Sequence, residues 1–152
     1  MELGAFAHIQ RVGVLTATDA LGLETDFRAD VSSGHDGTIA TVSVTYERSI
    51  GRTLYAGARV GIRYQNADYA NAYYGVSYSE SAVSGLPSFQ AQSGWHGMTA
   101  ALSASHRLKP ALSVEARAQY DRLIGSLRDS PVARGPGNDE QWRFGLALGY
   151  RF

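Results

Sequence analysis

Strict alternation of apolar and polar residues over the last twelve positions constrains this chain more than any other feature. A period of two places every second side chain on the same face of a β-strand. Aromatic residues flank the aliphatic ones on this face, as in strands that cross a bilayer between two aromatic belts. The closing strand of a soluble β-sandwich also alternates, so a soluble sheet stays open as an alternative. The apolar positions are Trp142, Phe144, Leu146, Leu148, Tyr150 and Phe152.

The same alternation recurs along the chain and predicts seven strands. We expect them over 3–12, 23–32, 38–48, 54–65, 95–108, 112–121 and 141–152. Each is about ten residues or longer, the length that a tilted strand needs to cross the hydrocarbon core. The predicted fold class is all-β, an antiparallel transmembrane β-barrel of about seven or eight strands. Residues 1–152 form its single domain. Because bacterial single-chain barrels have even strand numbers, the odd count indicates part of a larger barrel, shortened at its N-terminus.

Charged residues occupy the opposite face of these predicted strands. In a soluble sandwich they would meet bulk water, where ion pairs contribute little. In a barrel they line the lumen, where opposite charges pair across strands. We also expect nearby glycines such as Gly57 and Gly61 to leave room for the arginines. The basic residues on this face are Arg28, Arg59, Arg63, Arg107, Arg117, Arg143 and Arg151, and the acidic ones are Glu24, Asp26, Asp30, Glu47, Glu115 and Asp121.

Composition narrows the function classes. The chain has 14 basic and 14 acidic residues, and this balance argues against a nucleic-acid partner, which would require a basic excess. It has no cysteine, so it offers no disulfide and no thiolate for metal binding or catalysis. No apolar run is long enough for a membrane helix, so a spanning chain of this kind must use a closed barrel. The first residues lack the pattern of a secretory signal.

The connections between the predicted strands alternate in length. Residues 48–52 and 107–111 form short turns, whereas 66–94 and 126–140 are long and rich in Gly, Ser and Asn. Outer-membrane barrels have short periplasmic turns and longer extracellular loops. We therefore expect the short turns and the C-terminus to face the periplasm. The tyrosine-rich segment 69–78 is either a plug over the lumen or part of an interface belt.

Histidine offers little chemistry in this sequence. His35 lies between glycines in Gly34–Gly37, where the pattern fits a turn better than a metal or acid–base site. His106, with Ser103 and Ser105 nearby, is the other group that could serve a hydrolase. It falls near the predicted periplasmic end, away from the outer rim. We expect no catalytic residue, no cofactor and no metal ion.

Several motifs resemble the MipA/OmpV family of outer-membrane proteins. The end of the chain and its first residues, Glu2–Ala7, look like family segments as well. The chain departs from the family pattern in lacking a signal peptide and further strands before Glu2, and in a longer stretch over 11–23. The loop motifs are Tyr73-Tyr74-Gly75-Val76, Ser84-Gly85-Leu86-Pro87 with Phe89, and Arg122-Leu123 followed by Gly125 and Asp129-Ser130-Pro131.

This resemblance implies a non-enzymatic protein of the Gram-negative outer membrane. Its role would be structural, as a scaffold associated with the machinery that synthesises and turns over murein, or peptidoglycan. The implied partners are the lipid bilayer, the barrel assembly machinery, which would recognise the C-terminal strand, and a murein hydrolase and synthase complex. A small channel or a surface adhesin-like barrel remains the alternative, and an outer-membrane hydrolase is the weaker one.

Overall fold

A computed structural model places seven strands in one antiparallel sheet and describes residues 1–32, 34–135 and 137–152. Each strand pairs with the next one along the chain, so the sheet order equals the sequence order. The predicted all-β antiparallel fold is confirmed. Within the described residues the sheet is not closed, because β1 and β7 each keep one free edge. The strands are β1 (Glu2–Val12), β2 (Asp19–Asp30), β3 (Thr38–Ile50), β4 (Leu54–Gln65), β5 (Gly94–Lys109), β6 (Leu112–Leu123) and β7 (Glu140–Tyr150).

Most strand ends lie within two residues of the prediction, but the start of β2 differs by four. β2 begins at Asp19 rather than at residue 23. The Asp19 carboxylate accepts hydrogen bonds from the backbone N–H groups of Val14 and Thr16, both at 2.8 Å, and folds 13–18 into a compact turn. β7 ends at Tyr150, so Phe152 lies beyond the strand, although its backbone neighbour Arg151 still donates to the Ala111 carbonyl at 2.9 Å.

The strand register confirms the two predicted faces. Residues that pair directly across antiparallel strands lie on the same face of the sheet. One row is uncharged from β1 to β5 and continues into the charged pair Arg122 and Glu140 near the loop end of β6 and β7, and the polar row beside it carries the charges of Glu24 and Asp121. The apolar row is Ala7, Thr25, Val42, Ile62 and Met98, and the polar row is His8, Glu24, Ser43, Gly61, Thr99 and Asp121.

β1 departs from this separation by placing a large apolar side chain on the polar face. Phe6 pairs with Asp26, so its ring lies on the polar face and is 83% exposed. The alternation in β1 is weaker than in the other strands, as the sequence indicates.

Because each strand pairs with the next one along the chain, the connections fall alternately at two ends of the sheet, and the two ends differ in the length of their connections. The turn end carries the short connections 13–18, 51–53 and 110–111. The loop end carries the β2–β3, β4–β5 and β6–β7 connections. The predicted separation of short turns from long loops is confirmed, although position 136 of the last connection lies outside the described residues.

The long loops contain helices that the sequence did not reveal. α1 (Ala67–Tyr74) and α2 (Tyr78–Ser84) lie in the β4–β5 loop, and a 3₁₀ helix (Gly125–Asp129) and α3 (Pro131–Arg134) lie in the β6–β7 loop. None of the described helices has the length and apolar character needed to cross a membrane.

The two faces predict unequal tolerance to charge. Leu102 lies on the apolar face and is 65% exposed, whereas its neighbour Ser103 lies on the polar face. If the apolar face meets lipid, Leu102→Arg should lower the free energy of unfolding in vesicles by about 2–4 kcal/mol. Ser103→Arg is the matched control and should change it little. Urea unfolding followed by tryptophan fluorescence measures both, and equal effects would contradict a lipid-facing apolar side.

Candidate functional site

The polar face of the sheet forms a groove of about 480 Å³ that is lined by residues from β1 through β6. An ion pair crosses this groove between strands, since Arg59 Nη1 lies 2.7 Å from Glu24 Oε2. On the same face, in the neighbouring cavity, Arg143 Nη2 lies 2.6 Å from Asp121 Oδ2. Gln119 Nε2 also donates to Asp121 Oδ2 at 3.0 Å. The prediction that opposite charges pair on this face is therefore confirmed.

Gly57 and Gly61 serve a different purpose from the one expected, whereas Gly97 lies against the Arg63 side chain as expected for a glycine that leaves room for arginine. A Cβ atom at Gly61 would lie 2.4 Å from Ser43 Oγ, and one at Gly57 would lie 2.8 Å from Ser103 Oγ. The space at these two glycines is taken up by hydroxyl groups of the adjacent strands rather than by arginine side chains. Glycine here permits close cross-strand contact.

The loops fold over the loop end as one unit, the loop cap, which comprises residues 66–93 and 124–135. Its small core contains buried Ala70, Ala91 and Leu127, with Tyr74 and Phe89 packed against them. Burial raises the pKa of the Tyr74 hydroxyl. Because Tyr74 lines the same cavity of about 320 Å³ as Arg63 of β4, the loop cap reaches the polar face of the sheet.

Asparagine side chains attach α1 to its surroundings. Asn66 Oδ1 accepts hydrogen bonds from the backbone of Tyr69 at 3.0 Å and of Thr38 at 2.8 Å, so it caps the helix and fastens it to β3. Asn71 exchanges two hydrogen bonds of 2.8 Å with the backbone of Ala91. The first half of the β4–β5 loop is thereby held against the second half.

Ser130 connects two sequence motifs that are far apart in the chain. Its buried hydroxyl donates to the Tyr74 carbonyl at 2.7 Å and accepts from the Val132 backbone N–H at 3.2 Å. The Tyr73–Val76 motif and the Asp129–Pro131 motif therefore meet in the loop cap. In the loop cap, the Arg134 guanidinium also donates to the Asp129 carboxylate.

The Ser84–Pro87 motif makes a sharp turn after α2. Gly85 ends the helix in the left-handed conformation, at a φ of 74°, which glycine adopts without strain. The Ser81 hydroxyl donates to the Leu86 carbonyl at 2.6 Å and holds the turn. Val76 and Phe89 then exchange two backbone hydrogen bonds of 2.9 Å, which close the loop.

A capping box begins α2. The Ser77 hydroxyl and backbone N–H both donate to Glu80 Oε2, at 2.7 and 2.8 Å. These donors lower the pKa of the Glu80 carboxyl. The carboxylate therefore keeps its charge, and the helix keeps its cap, at neutral pH.

The structure places His35 and His106, the two histidines weighed for acid–base chemistry, in different surroundings. His35 lies in a turn, as predicted, but the turn is held by Asp30, whose carboxylate accepts from the His35 backbone at 2.7 Å. The left-handed residue is Asp36, at a φ of 50°, rather than a glycine. His106 pairs with Leu54 on the apolar face, opposite to the face that carries Ser103 and Ser105.

His96 is a residue that the sequence did not single out. It sits at a β-bulge, where the register with β4 shifts between Arg63 and Tyr64. The bulge directs the His96 ring inward, where it is buried and its Nε2 lies 2.6 Å from the Gln92 carbonyl. No periodic pattern could have revealed it, because a bulge interrupts the alternation at one residue.

The apolar face carries aromatic rings at both ends. Near the loop end, Tyr64 contacts Trp95 and Tyr120 contacts Trp142, with ring centroids 5.6 and 4.9 Å apart. Near the turn end, this face carries Tyr46 and Tyr150. Aromatic belts of this kind flank the lipid-facing surface of transmembrane barrels. The predicted assembly signal lies on β7 from Trp142 to Tyr150, along the free edge of the sheet.

Comparison with known proteins yields a family and partial relatives. A family model described as MltA-interacting protein MipA matches residues 1–152. The outer membrane protein YiaT of Escherichia coli K12 is 30% identical over 148 residues, which cover 97% of this chain and 55% of YiaT. The MltA-interacting protein of the same strain is 28% identical over 150 residues, covering 97% of this chain and 54% of that protein. The chain spans about half the length of these relatives. No solved structure matches it.

Removal of the Ser130 hydroxyl should loosen the loop cap. Ser130→Ala leaves the Tyr74 carbonyl without its donor and should destabilise the cap locally by about 1–3 kcal/mol. The measurement is hydrogen exchange of the backbone amides in 66–93. Ser79→Ala is the matched control, because within the described residues its exposed hydroxyl has a hydrogen-bond partner only in Ser77. Unchanged protection in Ser130→Ala would show that the two loops do not depend on this bond.

Proposed function

Because the chain belongs to the MipA family, we propose that it is a non-enzymatic scaffold of the Gram-negative outer membrane that holds a murein-cleaving partner at its periplasmic side. The match of the family model over 1–152 carries this proposal. A relative named for its interaction with MltA supports a murein hydrolase as the partner. A relative named as an outer membrane protein supports the location.

The two faces of the sheet support the membrane part of the proposal. The apolar face is exposed in the isolated chain, with large side chains such as Val60, Phe144 and Leu146 among those left uncovered. Exposed apolar surface of this extent marks a contact with lipid or protein. Aromatic belts at both ends favour lipid, so we assign this face to the bilayer.

The free edge of β7 supports a role in assembly. Its outward residues alternate up to Tyr150, and Phe152 follows as the last residue of the sequence. We propose that the barrel assembly machinery binds this segment during insertion, by pairing with the unpaired backbone groups of the edge strand.

The turn end is the surface that we assign to the partner. In the orientation typical of outer-membrane barrels, short turns face the periplasm. The 13–18 turn is held rigid by Asp19 and presents Leu15, whose side chain is 75% exposed. The Thr18 hydroxyl donates to the Ser49 carbonyl at 2.9 Å and joins this turn to β3. A rigid turn with an apolar tip suits protein docking, because little order is lost on binding.

A binding experiment tests the scaffold. The protein in lipid nanodiscs should bind MltA, or its counterpart from the same bacterium, in a surface-based assay. Leu15→Asp should weaken binding about tenfold or more if this tip is buried at the interface. Val83→Asp is the matched control, since Val83 is 91% exposed at the loop end. No binding by the unaltered protein, or a larger loss in Val83→Asp, would contradict the proposal.

A small channel is a second candidate function, and the arginine-lined groove favours it. The loop cap contributes Tyr74 to the cavity that also contains Arg63 at the loop end of this groove. A channel should give anion-selective conductance in planar bilayers, and Tyr74→Ala should raise it by widening the opening. Absence of conductance from both proteins would exclude the channel.

A further inference from the structure

We infer that a groove at the turn end binds a small oxyanion ligand, one that carries phosphate or carboxylate groups. The groove has a volume of about 600 Å³ and is lined by Arg52, Arg107 and Arg151. A volume of this size suits a small-molecule ligand. Binding of an oxyanion by this groove does not depend on the proposed function. The proposed function enters only where the ligand is assigned to the periplasm.

The groove differs from the rest of the polar face in its charge. Its lining contains three arginines and no aspartate or glutamate. In the groove at the centre of the sheet, by contrast, Arg59 lies 2.7 Å from the Glu24 carboxylate and Arg28 lies 3.1 Å from the Asp26 carboxylate, and both carboxylates belong to that groove's lining. An arginine cluster without carboxylates repels its own members unless an anion joins it. We therefore expect an anion to bind more favourably in the turn-end groove than elsewhere on the polar face.

The positions of the ion pairs among the described residues also set the turn end apart from the rest of the sheet. Those of the loop end and the centre include Arg28, Arg63, Arg122 and Arg128. In the described part of the chain, none includes a cation of the turn end. The unpaired turn-end cations are Arg11, Arg48, Arg52, Arg107, Lys109 and Arg151. The formal net charge of zero thus conceals a positive turn end.

Two carboxylates on the polar face near the groove, those of Glu47 and Glu115, do not neutralise its positive charge. Glu47 is on the polar face of β3 and accepts a hydrogen bond from the Tyr55 hydroxyl. Glu115 pairs with Ser105 in the register but does not line the groove. Neither forms an ion pair with an arginine in the described residues. The three guanidinium groups therefore keep their donors available.

The remaining lining supplies what an oxyanion ligand would use. Hydroxyl groups of Ser49, Thr53, Ser105 and Ser113 surround the arginines. Backbone hydrogen bonds hold the main chain at two of the arginines, since Arg107 N donates to the Thr53 carbonyl at 2.8 Å and Arg151 N to the Ala111 carbonyl at 2.9 Å. Guanidinium groups bind phosphate and carboxylate through paired hydrogen bonds. The exposed ring of Tyr55 offers an apolar surface beside them.

Calorimetry with two probes tests the inference. The folded protein in detergent is titrated with inorganic pyrophosphate and, separately, with citrate, which distinguishes phosphate from carboxylate ligands. We expect saturable binding of at least one probe. The triple variant R52Q/R107Q/R151Q should bind about tenfold more weakly or worse, since each lost charge-assisted contact weakens affinity. No saturable binding of either probe by the unaltered protein would overturn the inference.

Two further variants separate the groove from net charge and from folding. R122Q/R128Q/R134Q removes the same charge at the loop end and should leave affinity unchanged; an equal loss there would overturn the inference. R52K/R107K/R151K keeps the charge and removes the guanidinium fork, so it should bind with intermediate affinity. Heat-modifiable gel migration checks that each variant is folded. If the glutamine triple variant does not fold, the single variant Arg107→Gln takes its place, and unchanged affinity in it would overturn the inference.

Discussion

Continuous antiparallel pairing from β1 to β7 is the constraint on which the other features depend. A shift of one residue in any strand pair would move that strand's apolar side chains to the polar face. The two register shifts, after Arg63 and after Arg107, lie near the ends of β4 and β5 and leave the middle of the sheet regular. One face is thus mainly apolar across β2 to β7, with charged residues such as Arg48 and Arg122 near its two ends, and the other gathers most of the ion pairs. Both the proposed membrane contact and the central groove follow from this separation.

The loop cap depends on a second kind of interaction, side-chain hydrogen bonds to backbone groups. Ser130 reaches the Tyr74 carbonyl and Asn71 reaches Ala91, so two loops with a very small apolar core still adopt one arrangement. Polar anchors suit a segment that meets water on most sides, where apolar burial is scarce. The Ser130 anchor joins two of the sequence motifs, Asp129–Pro131 and Tyr73–Val76.

The sequence predicted the strands, their faces and the sidedness of the connections, because a period of two records which side of a sheet is apolar. It did not predict the helices of the loop cap. They are short, and contacts distant in sequence, such as Ser130 with Tyr74, hold them in place. It also missed the bulge at His96 and the buried Asp19, since each depends on local geometry rather than on a repeating pattern. The turn-end groove was equally hidden, because its arginines come from two separate turns and from the end of β7 and meet only in the folded sheet.

The odd number of strands gives the two free edges a common polarity. In a meander of seven strands, β1 and β7 run in the same direction. If these two edges joined directly, their hydrogen bonds would be of the parallel type, unlike every other pair in the sheet. Any insert that satisfies both edges while preserving antiparallel bonding must itself contain an odd number of strands. The completed wall would then have an even count, whatever its circumference.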